Sequence, residues 1–110
     1  VNPGAFIKWR TALMGNYQEL LDGDQRLVIL RSLNDLNGSA NDSVLQKILG
    51  QYGHKLSRDK VKTHLFWLSE QGLIEIESVL STDVANLTGR GLDVATGVAR
   101  CPGVGMPRPN

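Results

Sequence analysis

The stretch from Ser57 to Glu77 limits the folds open to this chain more than any other. Ser57 is a residue type whose side-chain oxygen caps helix N-termini, and Asp59 would place a carboxylate in the first turn, beside free backbone amides. Val61, Leu65 and Leu68 then recur at intervals of four and three residues, the apolar stripe of one helix over 57–71. Gly72 is a natural stop, because glycine accepts the left-handed conformation that ends helices. Leu73-Ile74-Glu75-Ile76-Glu77 follows at once and alternates apolar with acidic, the pattern of a half-buried strand. A helix that gives way to a strand across one glycine must pack against the sheet it enters.

The rest of the chain supplies partners for that unit. Asp24 to Leu36 reads as a helix, with Asp22 and Asp24 suited to its start and Leu27, Val28, Ile29, Leu30, Leu33 and Leu36 covering more than one side. Asn37-Gly38 and the polar residues after it read as a loop. A second helix over 43–52 is capped by Asp42 or Ser43, and Leu45, Ile48, Leu49 and Tyr52 form its apolar face. Gly53 to Leu56 makes a short turn into the 57–71 helix. Beyond Glu77, Leu80 to Asp83 reads as a turn and Val84 to Leu87 as a returning strand, so 73–88 is a β-hairpin. A short helix over 91–99 follows. The segment 100–110 holds Pro102, Pro107 and Pro109 with Gly103 and Gly105, and is expected to be an extended, mobile tail.

The expected fold is therefore α+β, mainly α, in the order helix, helix, tight turn, helix, hairpin, helix. That order is a winged helix-turn-helix, in which the 57–71 helix can enter a DNA major groove and the hairpin is the wing. The organisation is one domain over 14–99 with the 100–110 tail. Residues 1–13 precede Met14-Gly15 and read as an N-terminal extension, either from an upstream start at Val1 or of separate origin, in which Phe6, Ile7, Trp9 and Leu13 would line one side of a helix.

Composition allows this without announcing a partner. The 110 residues carry a net charge of +1, with 41% apolar and 21% charged residues, an ordinary globular mixture. The charge is unevenly placed: Lys47, Lys55, Arg58, Lys60 and Lys62 face only Asp59 between Gln46 and His64. A nearly neutral chain can thus present one basic face. The candidate DNA contacts are Lys47, His54, Lys55, Ser57, Arg58, Lys60, Lys62 and Thr63. Lysine and arginine can meet phosphates or guanine, threonine can meet a base edge, and the Ser57 end of a helix can offer amides to a phosphate. Trp67 is assigned to packing, His64 to a hydrogen-bonded place at the core edge, Tyr52 to the core and His54 to an exposed turn. Arg100 and Arg108 are read as solubilising residues, with an arm over a partner subunit or DNA as the alternative.

Ser57 to Ile74, with its Trp-Leu-x-Glu-Gln-Gly-Leu-Ile ending, resembles the recognition helix and following wing of regulators of the ArsR and MarR type. Asp24 to Leu30, Leu92 to Ala95 and Cys101 to Val104 further resemble small ArsR-like proteins of Mu-like prophages. The resemblance spans about residues 16–110 and implies a homodimer that binds double-stranded DNA and regulates transcription. Metal-sensing members of the ArsR type carry a Cys-x-Cys pair or clustered His and carboxylates. Here the 43–52 helix has no cysteine, and His54 and His64 lack partners in sequence, so no metal and no cofactor is expected.

No nucleophile elbow, phosphate loop or His-Glu-x-x-His occurs, so the chain is not expected to be an enzyme. One cysteine, Cys101, and no apolar run long enough to span a bilayer place the expectation in the cytoplasm, without a membrane. The alternative is a winged-helix module that binds protein and not DNA. It draws on the acidic wing residues Glu75, Glu77 and Asp83 and on Phe66 and Trp67 as exposed aromatics.

Overall fold

The computed structural model describes the backbone of residues 3–107 and the side chains of residues 16–107. The elements run α1 (Pro3–Asp35), β1 (Ser39–Asn41), α2 (Asp42–Gln51), α3 (Arg58–Glu70), β2 (Ile74–Val79), β3 (Thr82–Leu87) and α4 (Gly89–Ala95). The three strands form one antiparallel sheet in the order β1-β3-β2. The architecture is α+β, with four helices around a small sheet among the described residues.

The core forms where the expected apolar stripes meet. Ile29, Leu30 and Leu33 of α1, Leu45 and Leu49 of α2, and Val61, Leu65 and Leu68 of α3 are all buried. Leu73, Ile74 and Ala85 close the core from the sheet, and Val94 and Ala95 from α4. Tyr52, expected in the core, is exposed, because α2 ends at Gln51 and the chain turns away through Gly53.

Helix α1 is longer than its periodicity indicates. It begins at Pro3, so the expected start near Asp24 is corrected. Asp22 and Asp24 are not capping residues: each carboxylate is paired with a side chain from another element, Asp22 with Lys60 and Asp24 with His54. The 1–13 segment is continuous with this helix from residue 3, and the side chains of Phe6, Ile7, Trp9 and Leu13 lie outside those described.

Two other expectations change. The loop after Gly38 contains β1, which pairs Ser39 with Asn86, Ala40 with Ala85 and Asn41 with Val84. Three residues cannot show an alternating pattern, so this strand exists only through its distant partner. Asn41, not Asp42 or Ser43, caps α2, its Oδ1 accepting from the Val44 amide at 2.8 Å. The Ser57 cap of α3 is as expected, with Oγ accepting from the Lys60 amide at 3.1 Å.

The hairpin turns tightly at Leu80-Ser81, since Val79 pairs with Thr82. α4 ends at Ala95, short of 99, and Gly97 follows with a φ of 84°. The tail is not free over its described part. Cys101 is buried, the Gly105 amide donates to the Gly23 carbonyl at 2.9 Å, and the Gly103 carbonyl accepts from Arg26 Nη1 at 3.0 Å. Gly103 makes this possible: it has a φ of 95°, and a Cβ there would stand 2.6 Å from the Trp67 ring. Its backbone lies against the indole, so residues 100–107 form a strap along α1 and α3. Arg108 lies outside the described residues.

Gly91 sets the seat of α4 on the sheet, because a Cβ there would stand 2.0 Å from the Leu73 carbonyl oxygen. That oxygen is backbone and cannot swing aside. Gly91→Ala is expected to lower unfolding stability by about 2–3 kcal/mol in urea titration, whereas alanine at open Gly50 should leave it unchanged or higher.

Candidate nucleic-acid interface

Helices α2 and α3 are joined by residues 52–57, and β2 follows α3 through Gly72. The eight candidate residues lie on α2, on this joint and on the first turns of α3, but the structure gives them different work. Lys47 and Lys55 are exposed, and among the described residues neither makes a salt bridge. Ser57 is exposed and spends its hydroxyl on the cap. Thr63 is exposed, and its hydroxyl donates back to the Asp59 carbonyl at 3.0 Å.

Arg58 and Lys62 converge on one carboxylate. They are four residues apart and share a side of α3. Arg58 Nη2 lies 3.1 Å from Asp42 Oδ1, and Lys62 Nζ lies 3.3 Å from Asp42 Oδ2. The Asp83 amide also donates to Asp42 Oδ2 at 3.3 Å. Lys62 Nζ reaches Asp83 at 3.5 Å and donates to the Ser81 carbonyl at 3.2 Å. Asp42 is completely buried. Burial alone would raise its pKa. The hydrogen bonds from Arg58, the Asp83 amide and Lys62 outweigh burial and hold the carboxyl below the usual carboxylate range.

Lys60 turns the other way, since two residues on a helix separate side chains by about 200°. Its Nζ lies 3.3 Å from Asp22 on α1. Burial also works to raise the Asp22 pKa, and the hydrogen bonds from Gln18 and Lys60 bring it net below the ordinary value. The three α3 cations are therefore each held by a carboxylate from another element, yet their side chains keep 45%, 37% and 33% of their exposure for Arg58, Lys60 and Lys62.

His54 is a correction. It is not a free turn residue, because Nε2 donates to Asp24 Oδ2 at 2.7 Å and Nδ1 faces Gln25 Nε2 at 3.4 Å. Gln25 in turn accepts from His64 Nε2 at 2.8 Å, and Arg26 Nε donates to His64 Nδ1 at 3.3 Å. His64 can donate to Gln25 and accept from Arg26 at once only as the neutral imidazole. His64 is fully buried, deeper than the expected core-edge place. Burial and the nearby Lys60 and Arg26 cations push its pKa down to about 4.

Trp67 packs against the core and under Arg26, whose guanidinium carbon stands 3.9 Å above the ring centroid. The packing assigned to Trp67 is what the structure shows, and only the alternative's picture of it as an exposed aromatic is corrected. Phe66 does stand out, with 63% of its surface exposed. The outward line of α3 is Asp59, Thr63, Phe66 and Glu70, all exposed. Sequence reading did not assign Asp22, Asp42, Gln25 or Arg26 to this region. Only their positions at helix starts and between apolar residues hinted at them, because their partners lie 16 or more residues away.

No group of three or more His, Cys, Asp and Glu suited to a metal occurs among the described residues, and none of their helices is long and apolar enough to cross a membrane.

Fold and site together define a small α+β domain whose α2–turn–α3 unit carries a cationic rim. No family model matches the chain. It is 52% identical over 91 residues to gp26 of Escherichia phage Mu, an uncharacterized protein, covering 83% of this chain and 95% of gp26. It is 46% identical over 82 residues to an uncharacterized protein of Haemophilus influenzae, covering 74% of this chain and 80% of that one. The chain belongs to the family of phage Mu gp26.

The neutral His64 makes stability fall on acidification. Its folded pKa of about 4 lies under the ordinary 6.5, so the unfolded chain takes up a proton first as pH drops. Stability is full above about 6.5 and is lost progressively toward 4, by up to about 3 kcal/mol. Urea unfolding at a series of pH values checks this. His64→Gln should be less stable at neutral pH and show a flatter profile over that window.

Proposed function

We propose that this chain is a winged-helix DNA-binding protein that regulates transcription in a phage or prophage setting, in the cytoplasm, as a homodimer and without catalysis. In this reading α3 lies in the major groove, the α2–α3 turn approaches the backbone and the β2–β3 hairpin is the wing. The observation that carries it is the cationic rim at the start of α3. Lys55, Arg58, Lys60 and Lys62 surround the amino end of that helix with partly exposed charges. Such a rim suits phosphates on both sides of a groove, and the free amides of the helix end favour the same anions. The relation to a phage protein fits a regulator carried by a mobile genome.

The dimer is proposed through α1 and α4. Tyr17 and Leu20 on α1, Leu92 on α4 and Val98 just after it expose apolar surface that one small body leaves uncovered. Sedimentation equilibrium at micromolar concentration should give twice the 12.0 kDa chain mass. A 12.0 kDa species at all concentrations would remove the dimer.

Binding to random duplex DNA across a salt series tests the main reading. The expected result is a steep fall of log K with log salt. Lys47→Ala and Lys55→Ala, which remove charges outside the salt bridges, should each reduce the slope by about 1 while leaving thermal unfolding unchanged. Absence of binding at low salt would reject the proposal.

A second reading has one specific observation behind it. Because Asp22, Asp42 and Asp83 engage Lys60, Arg58 and Lys62, the outward line of α3 carries two carboxylates and no cation. A protein-interaction module would use that line and the acidic wing. In that case Phe66→Ala would abolish capture of a partner protein, and DNA affinity would be absent from the start.

A further inference from the structure

We propose that Phe66, together with the methyl group of Thr63, reads the 5-methyl group of thymine in the major groove. This rests on the DNA-binding reading and names what α3 recognises there.

Three observations carry the inference. The first is chemical. Along the outward line of α3 the two central residues are Thr63 and Phe66, flanked by Asp59 and Glu70. Thr63 has already committed its hydroxyl hydrogen to the Asp59 carbonyl at 3.0 Å. What it has left to offer a base is chiefly its methyl group. Phe66 next to it is a phenyl ring with 63% of its surface in solvent, and it contributes nothing to the buried core. A ring that size stays exposed at a cost unless a partner covers it.

The second observation is electrostatic. Carboxylates at both ends of the line repel phosphates, so this line suits the centre of a groove and not its backbone edges. Cations lie off the line on either side: Arg58 toward α2 and Lys62 toward α2 and the hairpin, Lys60 toward α1. Phosphate-facing charge on the flanks and apolar groups in the middle is the order met by a helix lying along a major groove. Of the groups that base edges present there, the thymine methyl is the apolar one, and apolar side chains are its natural contacts.

The third observation is geometric. A groove of about 530 Å³ runs beside Phe66 between α3 and the hairpin, lined also by Lys62, Thr63, Ser69, Ile76, Ser78 and Asp83. It leaves one flank of the ring open. The Lys62 contacts to Asp42, Asp83 and the Ser81 carbonyl tie α3 to the hairpin along this groove. In the proposed complex a methyl group on the base edge would sit in this groove beside the ring.

Replacing thymine by deoxyuridine tests this, since it removes only the methyl. A preferred duplex is first selected from a random pool, and each thymine is then exchanged singly. The wild-type chain should lose about 3–10-fold in affinity at one or two positions per half-site. Phe66→Ala should bind the deoxyuridine duplex about as well as the thymine duplex, with an unchanged melting temperature because the ring is exposed. Thr63→Val should retain the discrimination. Wild-type protein that binds DNA but treats thymine and deoxyuridine alike at every position would overturn the inference and leave DNA binding intact. So would Phe66→Ala with undiminished discrimination. Wild-type protein that binds no duplex would overturn both.

Discussion

The buried carboxylate of Asp42 ties together the parts that give this protein a working face. It sits at the first residue of α2, takes Arg58 and Lys62 from α3, and accepts the Asp83 amide from β3. A buried charge is tolerated only when its hydrogen bonds and counter-charges are complete, and here they are. The consequence is mechanical as well as electrostatic. Helix, helix and hairpin are fixed relative to one another by one group, so the outward line of α3 and the hairpin beside it move as a unit. The cations that hold Asp42 are the same ones that remain partly open to solvent.

A second polar set fixes α3 to the other side of the molecule. Gln25 and Arg26, adjacent on α1, bracket His64 with an acceptor and a donor. Arg26 then covers Trp67 and holds the Gly103 carbonyl, which brings the C-terminal strap into the same arrangement. The set works because His64 stays neutral. A proton on it would place a cation between Arg26 and Lys60 in a fully buried site. α3 is thus clamped by a charged contact on the hairpin side and a neutral relay on the α1 side. Its apolar stripe of Val61, Leu65 and Leu68 lies on the core between them.

The functional proposal draws on what this clamping leaves outside. A helix with every cation free would bind DNA by charge alone. In this chain the α3 charges are pre-positioned by internal carboxylates, which weakens the attraction of the bare surface and makes any binding depend on shape and on apolar contact. Lys47 and Lys55 supply unshared charge. In the proposed reading Phe66 and Thr63 would supply that contact, beside the hairpin that Lys62 ties to α3. The membership in a phage family gives the reading its biological setting without assigning its partner.

The amino-acid sequence alone determined the local elements. Ser57, the Val61–Leu65–Leu68 stripe, Gly72 and the alternation after it specify a capped helix running into a strand. All of these act over a few residues, where spacing and glycine conformation decide. The hairpin, the α2 apolar positions Leu45 and Leu49 and the helical nature of α1 over 24–35 were legible for the same reason. Tertiary structure alone decided the rest. β1 has no pattern of its own and forms because β3 offers it a partner. Asp22 and Asp24 look like helix-starting residues, but Lys60 and His54 claim them from 38 and 30 positions away. The proline and glycine tail has no regular-structure signal, and it docks because Gly103 fits against Trp67. Local periodicity records which face of an element is apolar. It carries no record of which distant charge will neutralise a buried carboxylate, because that depends on how the elements come together in space.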